Sequence, residues 1–209
     1  IPLYNALIGM FLENEIDFQA VHTFNLDEYM DLPPYHPNSY RAYMEKHLNR
    51  DVNLPTRSVH FLKGMTRDWR KTCERYEAAI RARGGIDLQV LGIGANGHIA
   101  FNEPGTAKTS RTRMVRLSER TLQDNARLFP DPLEAPRFAL TMGIGTILEA
   151  RKILLMAHGA AKANAVYEAL CEPPSERVPA SFLQEFPGCC VFVLDRAAAG
   201  ELPLAGAGP

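Results

Sequence analysis

An excess of charge of either sign is missing from this chain: 23 Lys and Arg stand against 24 Asp and Glu in 209 residues. That balance excludes the global basic field with which proteins hold nucleic acid, so a small molecule is the expected partner. Long apolar runs are missing too. None approaches the roughly 18 consecutive apolar residues of a membrane helix, and the opening IPLYNALIGMF has neither the basic region nor the cleavage site of a signal peptide. Cysteine is scarce and poorly placed for bridging: Cys73, Cys171, Cys189 and Cys190 show no C-x-x-C spacing, and the adjacent pair at 189 and 190 is awkward for a bond to each other. A soluble protein of a reducing cytoplasm is expected, with no membrane partner. There is also no initial Met, and a start at Ile1 suggests a processed or truncated chain.

What is present is an alternation. Apolar or β-branched runs at 18–24, 58–62, 87–93, 112–117, 138–142, 152–157 and 189–195 read as strands. Between them 39–48, 66–85 and 160–172 have helical periodicity, the second stopped by Gly84 and Gly85. Strand and helix in turn predict an α/β fold, a Rossmann-like parallel sheet flanked by helices, with functional loops at the carboxyl ends of strands. Residues 1–200 are expected to form a single domain, and the Ala/Gly/Pro-rich stretch 201–209 a disordered tail.

One strand candidate runs into DLQVLGIGANGHIAFNEP, where Gly92, Gly94 and Gly97 spell G-x-G-x-x-G. A dinucleotide fingerprint needs a helix opening at its last glycine and an acid about 20 residues on. Neither is in place, because Pro104 and Gly105 stop any helix within two turns and TRMVRL ends without Asp or Glu. The segment offers His98 and Glu103 instead, which alone would read as polar surface residues. A second apolar run ends in Asp27 and Glu28, followed by Pro33, Pro34 and Pro37. Two strand ends thus deliver acid/base groups, where a carboxylate near low-dielectric walls can have its pKa moved toward a working value.

These residues carry a resemblance. TFNLDEYMDLP, GIGANGHIAFNEPG, SRTR and ALTMGIGTILEA resemble the glucosamine-6-phosphate deaminase family, over nearly the whole chain from about Tyr4 to Asp195. The implied reaction turns glucosamine 6-phosphate and water into fructose 6-phosphate and ammonium, through ring opening, proton movement between C2 and C1, and loss of the amine. Each step is a proton transfer that carboxylate and imidazole groups can perform without a metal or redox cofactor. The resemblance makes Asp27 the base at C2 and His98 the ring-opening acid/base tuned by Glu103. Asn96 stands where the family often has Asp; it can orient His98 but adds no charge, so His98 should be less strongly held as the imidazolium. Arg127 and Lys162 match the phosphate-binding arginine and lysine, Lys162 near a helix start where the dipole favours an anion.

The resemblance also places a strand and a Gly/Ser/Thr-rich phosphate loop before the helix holding Tyr4 and Leu7, so both are expected to be missing from this chain. A sheet without that strand should be poorly stable and nearly inactive. Residues 118–136, which carry Arg127, are expected to be a lid. In the regulatory Ser/Lys/Arg set of allosteric relatives Arg113 matches, but Val115 and Ala107 replace a lysine and a serine, so activation is not expected. Both a monomer and a homo-oligomer occur in the family. Two alternatives stay open: a 6-phosphogluconolactonase-like hydrolase, whose matching turn resembles GHTASLFP and lacks the equivalent of Glu103, and a sugar-phosphate sensor that binds without turnover.

Overall fold

The computed structural model describes residues 2–126, 129 and 135–203. The described chain forms two compact units, each assembled from two segments: residues up to Cys73 with Met114–Leu140, and Glu74–Arg113 with the residues from Thr141 onward.

In the first unit α1 (Pro2–Leu12) leads to β1 (Thr23–Phe24), β2 (Asp27–Tyr29), α2 (Tyr40–His47) and β3 (Val59–His60). β1 and β3 pair in parallel, Thr23 with Val59 and Phe24 with His60. β2 joins a separate three-stranded sheet with β5 (Arg113–Arg116) and β6 (Phe138–Thr141), in the order β2-β6-β5. α4 (Glu119–Ala126) follows β5. Phe18, Met30, Leu32, Leu48, Leu54 and Leu62 form the core of this unit. α2 begins where Ser39 takes the N-cap, its Oγ accepting the Ala42 amide at 3.0 Å, the role for which a small hydroxyl side chain suits a helix start.

The second unit is built on a parallel sheet in the order β4-β7-β8, from β4 (Leu88–Gly92), β7 (Lys152–Ala157) and β8 (Cys189–Leu194). Gln89 pairs with Ile153, and Ile153 with Cys190. Leu91, Ile153 and Leu155 fall on one buried face by the two-residue period of the strand. α3 (Trp69–Ala82) enters this unit, and α5 (Ile144–Ile147) and α6 (Ala163–Cys171) belong to it.

Parallel pairing and intervening helices bear out the α/β expectation. The expected strands are distributed over three sheets among the described residues. The run 18–24 contributes only Thr23 and Phe24 to a strand, since Val21 closes a turn by donating its amide to the Phe18 carbonyl at 3.0 Å. Asp27 opens a short strand of its own instead of ending the preceding one.

Candidate active site

β4 delivers the chain into a loop whose shape is set by two glycines. The Gly94 amide donates to the His98 carbonyl at 2.8 Å and the Gly97 amide to the Gly94 carbonyl at 3.0 Å, closing a tight turn. A Cβ on Gly94 would run into the His98 imidazole, and one on Gly97 would meet Val178 Cγ1 at 2.5 Å. Gly97 also has φ +79, a left-handed value that side chains disfavour. No helix opens after Gly97; Ile99 and Asn102 form an antiparallel bridge there. The glycines therefore serve the approach of His98 and Val178, and the absence of a helix after Gly97 agrees with the rejection of a dinucleotide fingerprint.

Within this turn Asn96, His98 and Glu103 come together. Asn96 Nδ2 donates to Glu103 Oε2 at 2.8 Å, and Asn96 Oδ1 lies 2.7 Å from His98 Nδ1. An ionised carboxylate only accepts, so the amide must turn its NH2 toward Glu103 and its carbonyl toward the imidazole. His98 Nδ1 then carries the proton, and in the neutral ring Nε2 holds the lone pair that can take one. Glu103 Oε1 is 3.8 Å from Nδ1, beyond hydrogen-bond reach, so Glu103 acts on His98 through the Asn96 amide and at a distance. The His98 and Glu103 side chains keep 33% and 25% of their surface exposed, which leaves them within reach of a solute.

The loop is held from beneath by a residue that the sequence did not single out. Asn102 is fully buried; its Nδ2 donates to the carbonyls of Ile99 at 3.0 Å and Met142 at 2.9 Å. Its Oδ1 accepts from Arg113 Nη1 at 2.9 Å. The Glu103 carbonyl accepts from Thr106 Oγ1 at 2.7 Å, and the Gly105 amide donates to the Glu176 carbonyl at 2.7 Å. Asn102 stands in the sequence between Phe101 and Glu103, where nothing in the residue pattern marks it as buried.

In the first unit Asp27 is half-buried. Burial, with the neighbouring Glu28 charge second, pushes its carboxyl up to about 7. The phenols of Tyr4 and Tyr40 are both pushed up, by burial first, with the Asp27 charge among the further causes. Glu28, in the sequence no more than an acid beside Asp27, is buried and accepts three backbone amides, those of Tyr29, Tyr40 and Arg41.

Lys162 ends a 3-10 turn (Ala160–Lys162) and is the N-cap of α6, as its expected place at a helix start requires. Its amide donates to the Gly159 carbonyl at 3.0 Å. Asp195, just past β8, pins that turn: both carboxylate oxygens lie 3.1 Å from the Gly159 amide, and Oδ1 accepts from Ala198 N at 2.7 Å. Spacing in the sequence carries no sign of this pairing, 36 positions apart. Arg127, with most of the expected lid beyond α4, lies outside the described residues, as do residues 204–209 of the expected tail.

Residues 1–191 match the family model described as glucosamine-6-phosphate isomerases/6-phosphogluconolactonase. The chain is 49% identical over 203 residues to glucosamine-6-phosphate deaminase 2 of Giardia intestinalis, covering 97% of this chain and 77% of that one. It is 47% identical over 200 residues to the glucosamine-6-phosphate deaminase of Alkaliphilus oremlandii, covering 96% and 83% respectively. Among solved structures a monomeric glucosamine-6-phosphate deaminase superposes with a TM-score of 0.90 at 42% identity, over 95% of this chain and 82% of that one. A 6-phosphogluconolactonase of Trypanosoma brucei superposes with a TM-score of 0.71 at 21% identity, over 97% and 80%, a likeness of fold alone.

Proposed function

Since the chain belongs to the glucosamine-6-phosphate deaminase family, we propose how its own residues divide the isomerising deamination of glucosamine 6-phosphate to fructose 6-phosphate and ammonium. The observation that carries the proposal is the relay from Glu103 through the Asn96 amide to His98 Nδ1. It supports an imidazole held in one tautomer with Nε2 as the proton acceptor. His98 takes the proton of the anomeric hydroxyl and returns it to the ring oxygen, opening the pyranose.

Asp27 then removes the proton at C2, leaving an enolamine across C1 and C2. Protonation at C1 gives the ketimine, and water replaces nitrogen at C2, releasing ammonium and the ketose. A carboxyl that titrates at about 7 suits this task, because a base near the working pH combines a useful ionised fraction with proton affinity. Lys162 and Arg127 hold the phosphate; the placement of Lys162 at the start of α6 supports its part, through its charge and the helix dipole. None of the four cysteines forms a disulfide bond among the described residues, which supports a reducing compartment such as the cytoplasm. No helix among the described residues is long and apolar enough to cross a membrane.

The deciding experiment is coupled detection of ammonium with glucosamine 6-phosphate as substrate. Steady release supports the deaminase. Hydrolysis of 6-phosphogluconolactone without ammonium release from the amino sugar would point to the lactonase reading. Binding of the amino-sugar phosphate without turnover would point to a sensor.

A further inference from the structure

Glu28 lies beside the residue read as the base, with only 3% of its surface exposed. Its Oε1 accepts the amides of Tyr29 at 2.9 Å and Tyr40 at 3.0 Å, and its Oε2 accepts the amide of Arg41 at 3.0 Å. Tyr40 and Arg41 are the first two residues of α2, whose amides have no partner within the helix. The third, Ala42, is served by the local cap Ser39. The helix start is thus capped twice, once by its own neighbour and once by a carboxylate 12 and 13 positions away. Both tied elements bear on Asp27. β2 begins with Asp27 itself, and α2 begins with Tyr40, whose phenol senses the Asp27 charge.

We propose that Glu28 is a positioning residue for Asp27: by clamping β2 to the first turn of α2, it sets where the Asp27 carboxyl and the Tyr40 phenol stand. The inference rests on the reading of Asp27 as the C2 base. A carboxylate at a helix N-terminus accepting three amides favours its charged form, though burial pulls the other way and raises Glu28 overall. The Glu28 charge from β2 bears on Asp27; the Asp27 charge bears in turn on the phenols of Tyr4 from α1 and Tyr40 from α2, Tyr43 bears on Tyr4, and Arg41 on Glu28. Glu28 therefore acts in two ways, through the geometry of the clamp and through a negative charge that makes Asp27 a stronger base.

The test measures ammonium release from glucosamine 6-phosphate across pH for Glu28→Gln, Ser39→Ala and Asp27→Asn, with folding followed by circular dichroism. Glutamine keeps the size of the side chain but loses its charge and one of two acceptor oxygens. Because misplacement of a reacting group by about 1 Å can cost ~10²-fold, kcat of Glu28→Gln should fall by about that factor with little change in KM. The base works ionised, and without the Glu28 charge Asp27 ionises more easily, so the acidic limb should move to lower pH. Ser39→Ala removes a cap from the same helix without touching β2; it should lower Tm and leave kcat and the limb in place. A Glu28→Gln enzyme with the parent kcat and limb overturns the proposal, whatever its Tm. So does a Ser39→Ala enzyme with the same kinetic losses, since helix capping alone would then explain them. If Glu28→Gln does not fold, Glu28→Asp serves: it keeps the charge on an arm too short for both α2 amides, so kcat should fall with the limb in place, and an unchanged kcat overturns the clamp. Failure of the base reading would look different, as persistent C2 proton exchange in Asp27→Asn.

Discussion

At the scale of single residues the chemistry rests on which proton sits where. In its proposed role Asp27 must be ionised to take the C2 proton, and burial with the Glu28 charge pushes its carboxyl up to about 7. Asp27→Asn should lose about 10³-fold in turnover while substrate still binds, and exchange of the C2 proton with solvent should be lost. Exchange at the parent rate in that variant would remove Asp27 from the role. Asn96 gives a second prediction. Its carbonyl receives the Nδ1 proton of His98 without bringing a charge. In Asn96→Asp a carboxylate would stand in its place, stabilise the imidazolium and delay its loss of a proton to higher pH. His98 accepts a proton only when neutral, so the limb governed by His98 should move to higher pH. A pH profile of kcat/KM, with the histidine proton shifts followed by NMR, reads this directly, and coincident profiles would show that the amide is electrostatically replaceable.

At the scale of elements a buried carboxylate ties the second unit together. Glu77 on α3 accepts the Thr112 amide at 3.0 Å and the hydroxyls of Thr112 and Thr146 at 2.6 Å each. Arg111 bonds both Glu77 and Glu149. Burial by itself would raise the Glu77 carboxyl, but the hydrogen bonds from Thr112, Thr146 and Arg111 outweigh it and lower it from 4.5 to about 2. A carboxyl depressed by folding stabilises the protein fully above its unfolded value, and that contribution is lost as pH falls through the folded value. The shift corresponds to an upper limit on the order of 3 kcal/mol. Glu77→Gln should therefore be less stable to urea at pH 7, with the gap to the parent narrowing from about pH 4.5 toward 2. A gap that stays constant would remove the ionised carboxylate as its source. The glycine turn makes a different prediction: in Gly94→Ala the new methyl group must displace the His98 ring. Turnover should fall by about 10²-fold, with Tm lowered far less than that loss would suggest.

At the scale of the whole molecule the question is regulation. The resemblance assigns Arg113 to an effector site, but here its guanidinium holds Asn102 Oδ1 at 2.9 Å and Thr106 Oγ1 at 3.4 Å, under the Glu103 loop. With Val115 and Ala107 where a lysine and a serine would bind, N-acetylglucosamine 6-phosphate should leave the dependence of rate on substrate unchanged. A sigmoidal curve that this ligand made hyperbolic would show a working effector site.

The sequence by itself determined the α/β alternation, the β4, β7 and β8 strands and the glycine turn, and it put His98, Glu103 and Asp27 forward as acid/base candidates. These are local properties: apolar runs specify strands, and Asn96, His98 and Glu103 lie within seven positions of one another. Only the tertiary structure decided the distribution of strands over three sheets, the amide orientation that gives His98 its tautomer, and the roles of Glu28, Asn102, Asp195 and Glu77. Glu28 reaches α2 across 13 positions and Glu77 reaches Thr146 across 69. Whether a carboxylate is a solvated surface charge, a clamp or a base at neutral pH depends on the solvent it loses and the donors it meets on folding, and those are contributed by distant parts of the chain.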